Sequence, residues 1–112
     1  MREEAVIEWA PFRLKAGVPD EALFEASETL QADFIDRQPG FVQRELLKGS
    51  DREWVDLVWW ESREAADRAV ANAAASAACH AYFQLMEEAD HAAPGAGVLH
   101  FARRKAYPGG GA

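Results

Sequence analysis

Few side chains in this chain of 112 residues are of a type that does chemistry, and their spacing limits what that chemistry is. Asp56 falls in the middle of an apolar run between Trp54 and Trp60. In a strand these three share a face, so the carboxylate is taken out of water. Buried and unpaired, it has a raised pKa and the character of a general base; paired with Arg13 or Arg44 of an adjoining strand, it is a structural ion pair. Glu8 carries the same two readings. His80 stands beside an apolar helical stripe, and an imidazole that is neutral near pH 7 serves as base or ligand. Asp56 and His80 are therefore the candidate catalytic groups. His80, His91 and His100 show no short ligand spacing such as HxH or HxxxH, and no metal site is expected. Cys79 has no basic neighbour on its helical face to lower its pKa, so it reads as a small core hydrophobe. No glycine-rich loop opens a helix, and the terminal Gly109-Gly110-Gly111 reads as tail.

The stretch Gln38–Ser62 (QPGFVQRELLKGSDREWVDLVWWES) positions most of these groups. It opens on the breaker pair Pro39-Gly40, turns at Gly49-Ser50-Asp51 and stops at Ser62, the pattern of a β-hairpin. Alternation puts Trp54, Asp56, Val58 and Trp60 on one face, and Val55, Leu57 and Trp59 on the other. Ahead of it, Ala5–Lys15 reads as a strand with Glu8 and Phe12 on one side and Ile7 and Trp9 on the other. Pro11 has no N–H for a ladder and is expected to force a bulge there. Pro19, Asp20 and Glu21 open a helix whose stripe is Leu23, Ser27, Leu30 and Phe34. Ser62 is an N-cap for a second, alanine-dense helix. A break is expected near Ser76, after which Cys79, Phe83 and Met86 continue the stripe to Asp90. His91–Gly97 reads as a loop, Val98–Arg103 as a last short strand, and Tyr107–Ala112 as a flexible tail.

The order strand, helix, strand, strand, helix, strand is that of a ferredoxin-like α+β domain, a four-stranded antiparallel sheet with two helices on one face. It spans residues 1–105, with 106–112 as tail. Twelve basic against nineteen acidic residues give a net charge of −7, which disfavours nucleic acid and anionic membranes. No apolar run reaches the roughly 18 residues of a membrane span. The single cysteine excludes an internal disulfide, and no signal-like segment follows Met1, so a cytoplasmic compartment is expected.

Two helices cover one sheet face and leave the other bare. Because Trp59 and Trp60 point in opposite directions, the bare face carries a tryptophan, and each aromatic buries about 150–250 Å². With its neighbours, that exceeds what monomers usually leave uncovered. A second copy of the chain, packed sheet to sheet about a two-fold axis, is the expected partner.

The succession FRLKAGVPDEAL, DFIDRQPGFVQRELL and WVDLVWWES, running into an alanine-rich helix, resembles the dimeric α+β barrel superfamily. Within it the chain is similar to the antibiotic-biosynthesis monooxygenase group. The resemblance implies a dimer in which two such sheets form a barrel. For the cofactor-independent oxygenases of that group it further implies a dry pocket, a strand tryptophan and polar groups that help to deprotonate a phenolic or keto substrate. Trp60 fits the tryptophan, and Asp56 and His80 are the polar groups available; Trp9, Phe83 and Met86 join Trp60 as candidate ligand-binding residues. The haem-degrading branch uses a histidine on the second helix, where His80 falls. Its tryptophan falls near Ala69–Val70 and its asparagine at Glu8 or Trp9, so haem binding through His80 is the part of that likeness that is left.

The stretch Ala71–Ala81 (ANAAASAACHA) sets small side chains against a sheet rich in tryptophan. Such a helix either sits close or leaves a hollow suited to a planar apolar ligand. Interiors seldom keep voids larger than a water, so close packing is expected. The leading functional reading is a cofactor-independent monooxygenase-like protein acting on a small aromatic or quinone-like metabolite between the second helix and the sheet. The alternatives are a non-catalytic ligand-binding or structural homodimer, and a haem protein using His80.

Overall fold

The computed structural model describes residues 5–88 and 97–109. The expected hairpin forms: β2 (Phe41–Lys48) and β3 (Glu53–Trp60) pair antiparallel. Their turn is closed by the Gly49 N–H on the Glu53 carbonyl at 2.7 Å, with Asp51 in the left-handed region at φ 59°. β1 (Val6–Arg13) lies between β3 and β4 (Leu99–Ala102), so the sheet runs β2-β3-β1-β4 and is antiparallel throughout. This is the ferredoxin-like α+β arrangement expected from the order of elements.

Pro11 causes no bulge, contrary to expectation. It pairs in register with Val55 in an unbroken β1–β3 ladder. The reason is the direction of its backbone groups. The Leu14 N–H reaches the Arg52 carbonyl on the β3 side, whereas Ala5, Arg13 and Lys15 bond away from β3. By strand alternation Pro11 also turns its nitrogen away from β3, toward β4, and β4 pairs no further along than Trp9. No ladder bond is lost. The irregularity lies instead between Phe41 and Gln43 of β2. That extra residue puts Phe41 and Arg44, three apart in sequence, on the same face, opposite Trp60 and Val58 respectively.

Helix α1 (Asp20–Asp33) follows Pro19 and buries Leu23, Ser27 and Leu30; a 3-10 turn, Ile35–Arg37, leads out of it. Helix α2 (Arg63–Ala73) is capped by Ser62, whose Oγ accepts from the Ala65 N–H at 3.1 Å. The break expected near Ser76 is present. Ser76 Oγ accepts from the Cys79 N–H at 3.1 Å and starts α3 (Ala77–Phe83). Two separately capped pieces thus make up the second helical segment. The stripe of α3 is Cys79 and Tyr82 rather than Cys79 and Phe83: Tyr82 is buried and Phe83 is half exposed. Residues 91–96 of the expected loop and 110–112 of the expected tail lie outside the described residues.

The helices sit on the face that carries Trp54, Asp56, Val58 and Trp60, all buried. Leu14, Leu23, Leu30, Phe34, Trp54 and Tyr82 belong to one core cluster between α1, α3 and the sheet. Val58, Trp60, Ala65, Ala66 and Ala69 form a second under α2, and Phe41 packs against both. Gly40, at φ +85°, lets the start of α2 come close: a Cβ there would stand 2.5 Å from that of Ala65. Across the sheet, the other face holds Trp9, Leu57, Trp59, Leu99 and Phe101, with no helix over them among the described residues; Trp9 is 38% and Phe101 53% exposed. Among the described residues no helix is long and apolar enough to cross a membrane.

Candidate functional site

The site is built on the helix-facing side of β1, β2 and β3. Arg44 of β2 reaches under the helices and is almost wholly withdrawn from solvent. Its Nε donates to Asp56 Oδ1 at 2.9 Å. One terminal nitrogen donates to the Ser27 hydroxyl at 2.9 Å and to the Tyr82 hydroxyl at 3.2 Å, and the other to Gln31 Oε1 at 3.2 Å. The Tyr82 O–H donates to Asp56 Oδ2 at 2.6 Å. Both carboxylate oxygens of Asp56 are therefore occupied, by a guanidinium and a phenol. Of the two arginines that sequence offered as partners, Arg44 is the one; Arg13 pairs with Asp51 at the hairpin turn. Burial, then the adjoining Asp56 charge, pushes the Tyr82 phenol far above its ordinary range. Tyr82 is a hydrogen-bond donor at any pH the fold withstands.

A second carboxylate stands two strands away from Arg44. Glu8 of β1 accepts from the Trp60 indole N–H at 3.1 Å. His100 Nε2 lies 3.7 Å from the same oxygen, inside electrostatic range but beyond a hydrogen bond, and has no hydrogen-bond partner among the described residues. Burial pushes the Glu8 carboxyl above its ordinary value, opposed by the Trp60 bond and His100 and reinforced by the Asp56 charge. Burial likewise raises the Cys79 thiol, consistent with a core role.

Between these carboxylates and the helices lies a cavity of about 530 Å³. Close packing of the alanine-rich helix is thus not what the structure shows. Ala69, Ala73 and Ala74 reach only a methyl group toward the sheet, while the Ser76 break carries α3 off along its own line, so nothing fills the space between. The floor is Glu8, Ala10, Phe12, Asp56, Val58 and Trp60. Leu30 and Phe34 close one side, and His80, Tyr82, Phe83 and Met86 line the α3 side. The wall is apolar apart from a few groups: Glu8, the Arg44–Asp56–Tyr82 cluster and His80.

Of the residues singled out from sequence, Asp56, His80, Trp60, Phe83 and Met86 all line this space, and Trp9 does not. Trp9 is one residue out of phase with Glu8 on β1, which points it to the opposite sheet face. His80 is exposed and stands at the rim, while Asp56 is deep. Sequence reasoning missed Tyr82, Ser27 and Gln31 as partners of Arg44. One signal was available: Ser27 is a polar residue at a core position of the α1 stripe, and a buried hydroxyl needs a partner. The described residues hold no cluster of His, Cys, Asp and Glu arranged to bind a metal ion.

No family model and no curated protein sequence matches the chain. Solved structures do. SnoaB, a cofactor-independent oxygenase from Streptomyces nogalater, superposes with a TM-score of 0.71 at 22% identity, covering 95% of this chain and 99% of that one. A candidate antibiotic biosynthesis monooxygenase from Nitrosomonas europaea gives 0.64 at 15% identity, covering 92% and 93%. A variant of MhuD with two manganese protoporphyrin IX molecules bound per active site gives 0.61 at 19% identity, covering 93% and 99%. The likeness first carried by the hairpin and its flanking helices is thus borne out in three dimensions: by its fold, the chain is similar to the antibiotic-biosynthesis-monooxygenase-like proteins over nearly all of its length.

Proposed function

We propose that the chain is a monooxygenase-like enzyme that takes a small planar aromatic or quinone-like metabolite into the cavity between the sheet and α2–α3, and oxygenates it without a bound cofactor. The observation that carries this reading is the cavity itself: about 530 Å³ of mostly apolar wall with the carboxylates of Glu8 and Asp56 at its floor. An apolar lining excludes water and accepts a flat ring system; a few fixed polar groups orient it. In the reaction of an anthrone-like substrate, a methylene flanked by two aromatic rings becomes a carbonyl. One atom of O₂ enters the product and the other leaves as water with the two methylene hydrogens. The substrate supplies all the electrons, so the stoichiometry closes without an external reductant. The protein's part is to hold the ring, exclude water and accept a proton so that the ring system carries the electron pair to oxygen.

Asp56 and His80 keep their proposed places at this surface. Asp56, held from both sides by Arg44 and Tyr82, is a fixed acceptor on the cavity floor that can orient a hydroxyl of the ligand. His80, at the rim, exchanges protons with solvent. The bare sheet face that carries Trp9, Leu57, Trp59 and Phe101 is proposed to pack against a second copy, giving the homodimer.

Oxygen uptake with a panel of anthrone-like and hydroquinone substrates tests the reading, and product formation dependent on the folded protein is expected. No uptake and no ligand-dependent quenching of tryptophan fluorescence across the panel would overturn it. Haem held by His80 is the second reading, favoured by the position of His80 on the cavity rim and by the porphyrin-bound neighbour. The residues fit it poorly, since the deep end of the cavity presents two carboxylates to a ligand that itself carries two. A Soret band on adding haemin that His80→Ala abolishes would select it.

A further inference from the structure

We propose that Glu8 is the proton acceptor of this cavity, and that the ligand it serves is an uncharged weak acid, a phenol or an activated ring methylene, rather than a carboxylate-bearing aromatic. The inference rests on the proposed function and adds a residue and a charge rule to it. Three observations on the cavity floor lead there.

The first is a difference between its two carboxylates. Asp56 has one oxygen on Arg44 at 2.9 Å and the other on Tyr82 at 2.6 Å, so accepting a proton would break an established ion pair. Glu8 has only Oε1 engaged, by Trp60 at 3.1 Å; among the described residues nothing hydrogen-bonds to Oε2. A base needs an oxygen that can face the substrate, and of the two carboxylates only Glu8 has one with no donor already on it among the described residues.

The second is orientation. The Trp60 indole is almost wholly buried, packed edge-on against Phe41 with ring centroids 5.9 Å apart, and so is a rigid mount for its N–H. It fixes the Glu8 carboxylate against the cavity wall while leaving the second oxygen available. Trp60 is on this view a positioning residue.

The third is charge. Among the described residues lining the cavity the basic side chains are Arg44 and His80. Arg44 is spent on Asp56, and His80 is at the exposed rim. The titratable groups around Glu8 are His100 on β4, Asp56 on β3 with its counter-ion Arg44 on β2, and Tyr82 and His80 on α3; α2 lines the cavity only with Ala69, Val70 and Ala73. A ligand carboxylate placed on the floor would meet Glu8 with no unpaired arginine or lysine beside it among the described lining residues, whereas a neutral acid meets a waiting acceptor. In the step itself the substrate's O–H or C–H bond breaks, Glu8 Oε2 gains the proton, and the electron pair stays delocalised on the ring system for reaction with O₂.

The experiment compares the full-length parent, Glu8→Gln and Glu8→Asp in oxygen uptake on an anthrone-like substrate across pH, and in binding of anthraquinone and anthraquinone-2-carboxylate by tryptophan quenching. Gln keeps an oxygen for the Trp60 N–H. The expected result is a drop in uptake of about 100-fold or more in Glu8→Gln, the usual range for a lost general base. Glu8→Asp should retain part of the rate, and the acid limb of the parent's pH profile should vanish in Glu8→Gln. The carboxylated quinone should bind the parent more weakly than the neutral one, and Glu8→Gln should narrow that gap. Uptake unchanged in Glu8→Gln would overturn the role of Glu8 while leaving the proposed function standing. No uptake by the parent would overturn the function and the proton-acceptor role with it. If Glu8→Gln does not fold, the parent decides alone: a rate independent of pH through the acid range, or equal affinity for the two quinones, overturns the inference.

Discussion

Glu8 and Trp60 meet on a diagonal of the sheet. Glu8 is paired by register with Val58, and Trp60 with Val6, yet the Trp60 indole N–H crosses to Glu8 Oε1 at 3.1 Å. Long side chains bridge such diagonals readily, and this one ties the strand-end tryptophan to the one carboxylate of the cavity that keeps an oxygen free. Trp60→Phe retains the ring and removes the donor. Hydrogen bonds to charged groups contribute about 1.5–3 kcal/mol, so a loss of that order is expected near pH 7 by chemical denaturation. The loss should shrink on acidification, once Glu8 is protonated. The Trp60 bond also holds the Glu8 carboxyl down against burial. In Trp60→Phe the acid limb of any Glu8-dependent activity should therefore move to higher pH; an unmoved limb would count against the pairing.

Glu8 also sets a pH dependence of stability. Its folded-state pKa is raised above the ordinary value of 4.5, chiefly by burial. The native chain then binds the Glu8 proton more tightly than the unfolded chain does. This contribution to stability is fully present below the unfolded pKa and is lost as pH rises through the folded one. Glu8→Gln, which cannot ionise, should gain on the parent as pH rises from 4 to 7. Parallel denaturation curves of the two proteins over that range, with no widening gap, would contradict the buried, ionisable Glu8.

The Arg44–Asp56–Tyr82 cluster predicts an asymmetry between breaking and replacing. Arg44→Met leaves a buried carboxylate with one partner and should destabilise by about 3–5 kcal/mol. Tyr82→Phe removes a single donor and should cost about 1–3 kcal/mol. Asp56→Asn in the Arg44→Met background should recover a large part of the loss, because no charge is then left stranded. A double-mutant cycle measured by urea denaturation checks this; strict additivity would mean that the two side chains do not interact as the geometry places them.

What sequence made legible here was local. The alternation of Trp54, Asp56, Val58 and Trp60, the Ser62 cap and the Ser76 break all depend on neighbours a few residues away, and all are present. What it left dark depends on distant partners. Pro11 is harmless because β4 ends at Trp9's partner, Leu99, a length set elsewhere in the chain. Phe41 and Arg44 share a face only through an irregularity in β2 that no turn residue announces. Tyr82 and Phe83 stand three and four residues after Cys79, spacings that share one helix face, and Tyr82 is the buried one because its hydroxyl meets Arg44 and Asp56 on distant strands. The hollow required the spacing of two helices against the sheet, a quantity no side-chain list contains.

The hollow can be closed deliberately. Ala73 lines it from α2 and is only partly buried, so Ala73→Leu projects a larger side chain into empty space instead of into a packed core. The stability change should stay below the 1–3 kcal/mol typical of overpacking. Binding of a planar aromatic, followed by tryptophan quenching, should weaken strongly. A variant that folds and binds as the parent does would show that the ligand lies elsewhere.

The uncovered sheet face makes the last prediction. Trp9 and Leu57 are direct neighbours across β1 and β3, with Leu99 on the far side of Trp9, and all three point away from the helices. This apolar surface is left partly in water, whereas on the helix side the same strands bury Val58 and Trp60. At roughly 25 cal/mol per Å² of apolar area removed from water, covering a few such side chains in each of two copies supplies a large driving force for pairing. Sedimentation at micromolar concentration should therefore give a dimer. Leu57→Glu places a carboxylate at the middle of the proposed contact without touching the cavity, and should yield a monomer with the parent's far-ultraviolet circular dichroism. A parent that sediments as a monomer, with Trp9 and Trp59 open to small quenchers, would remove the second copy from the proposal.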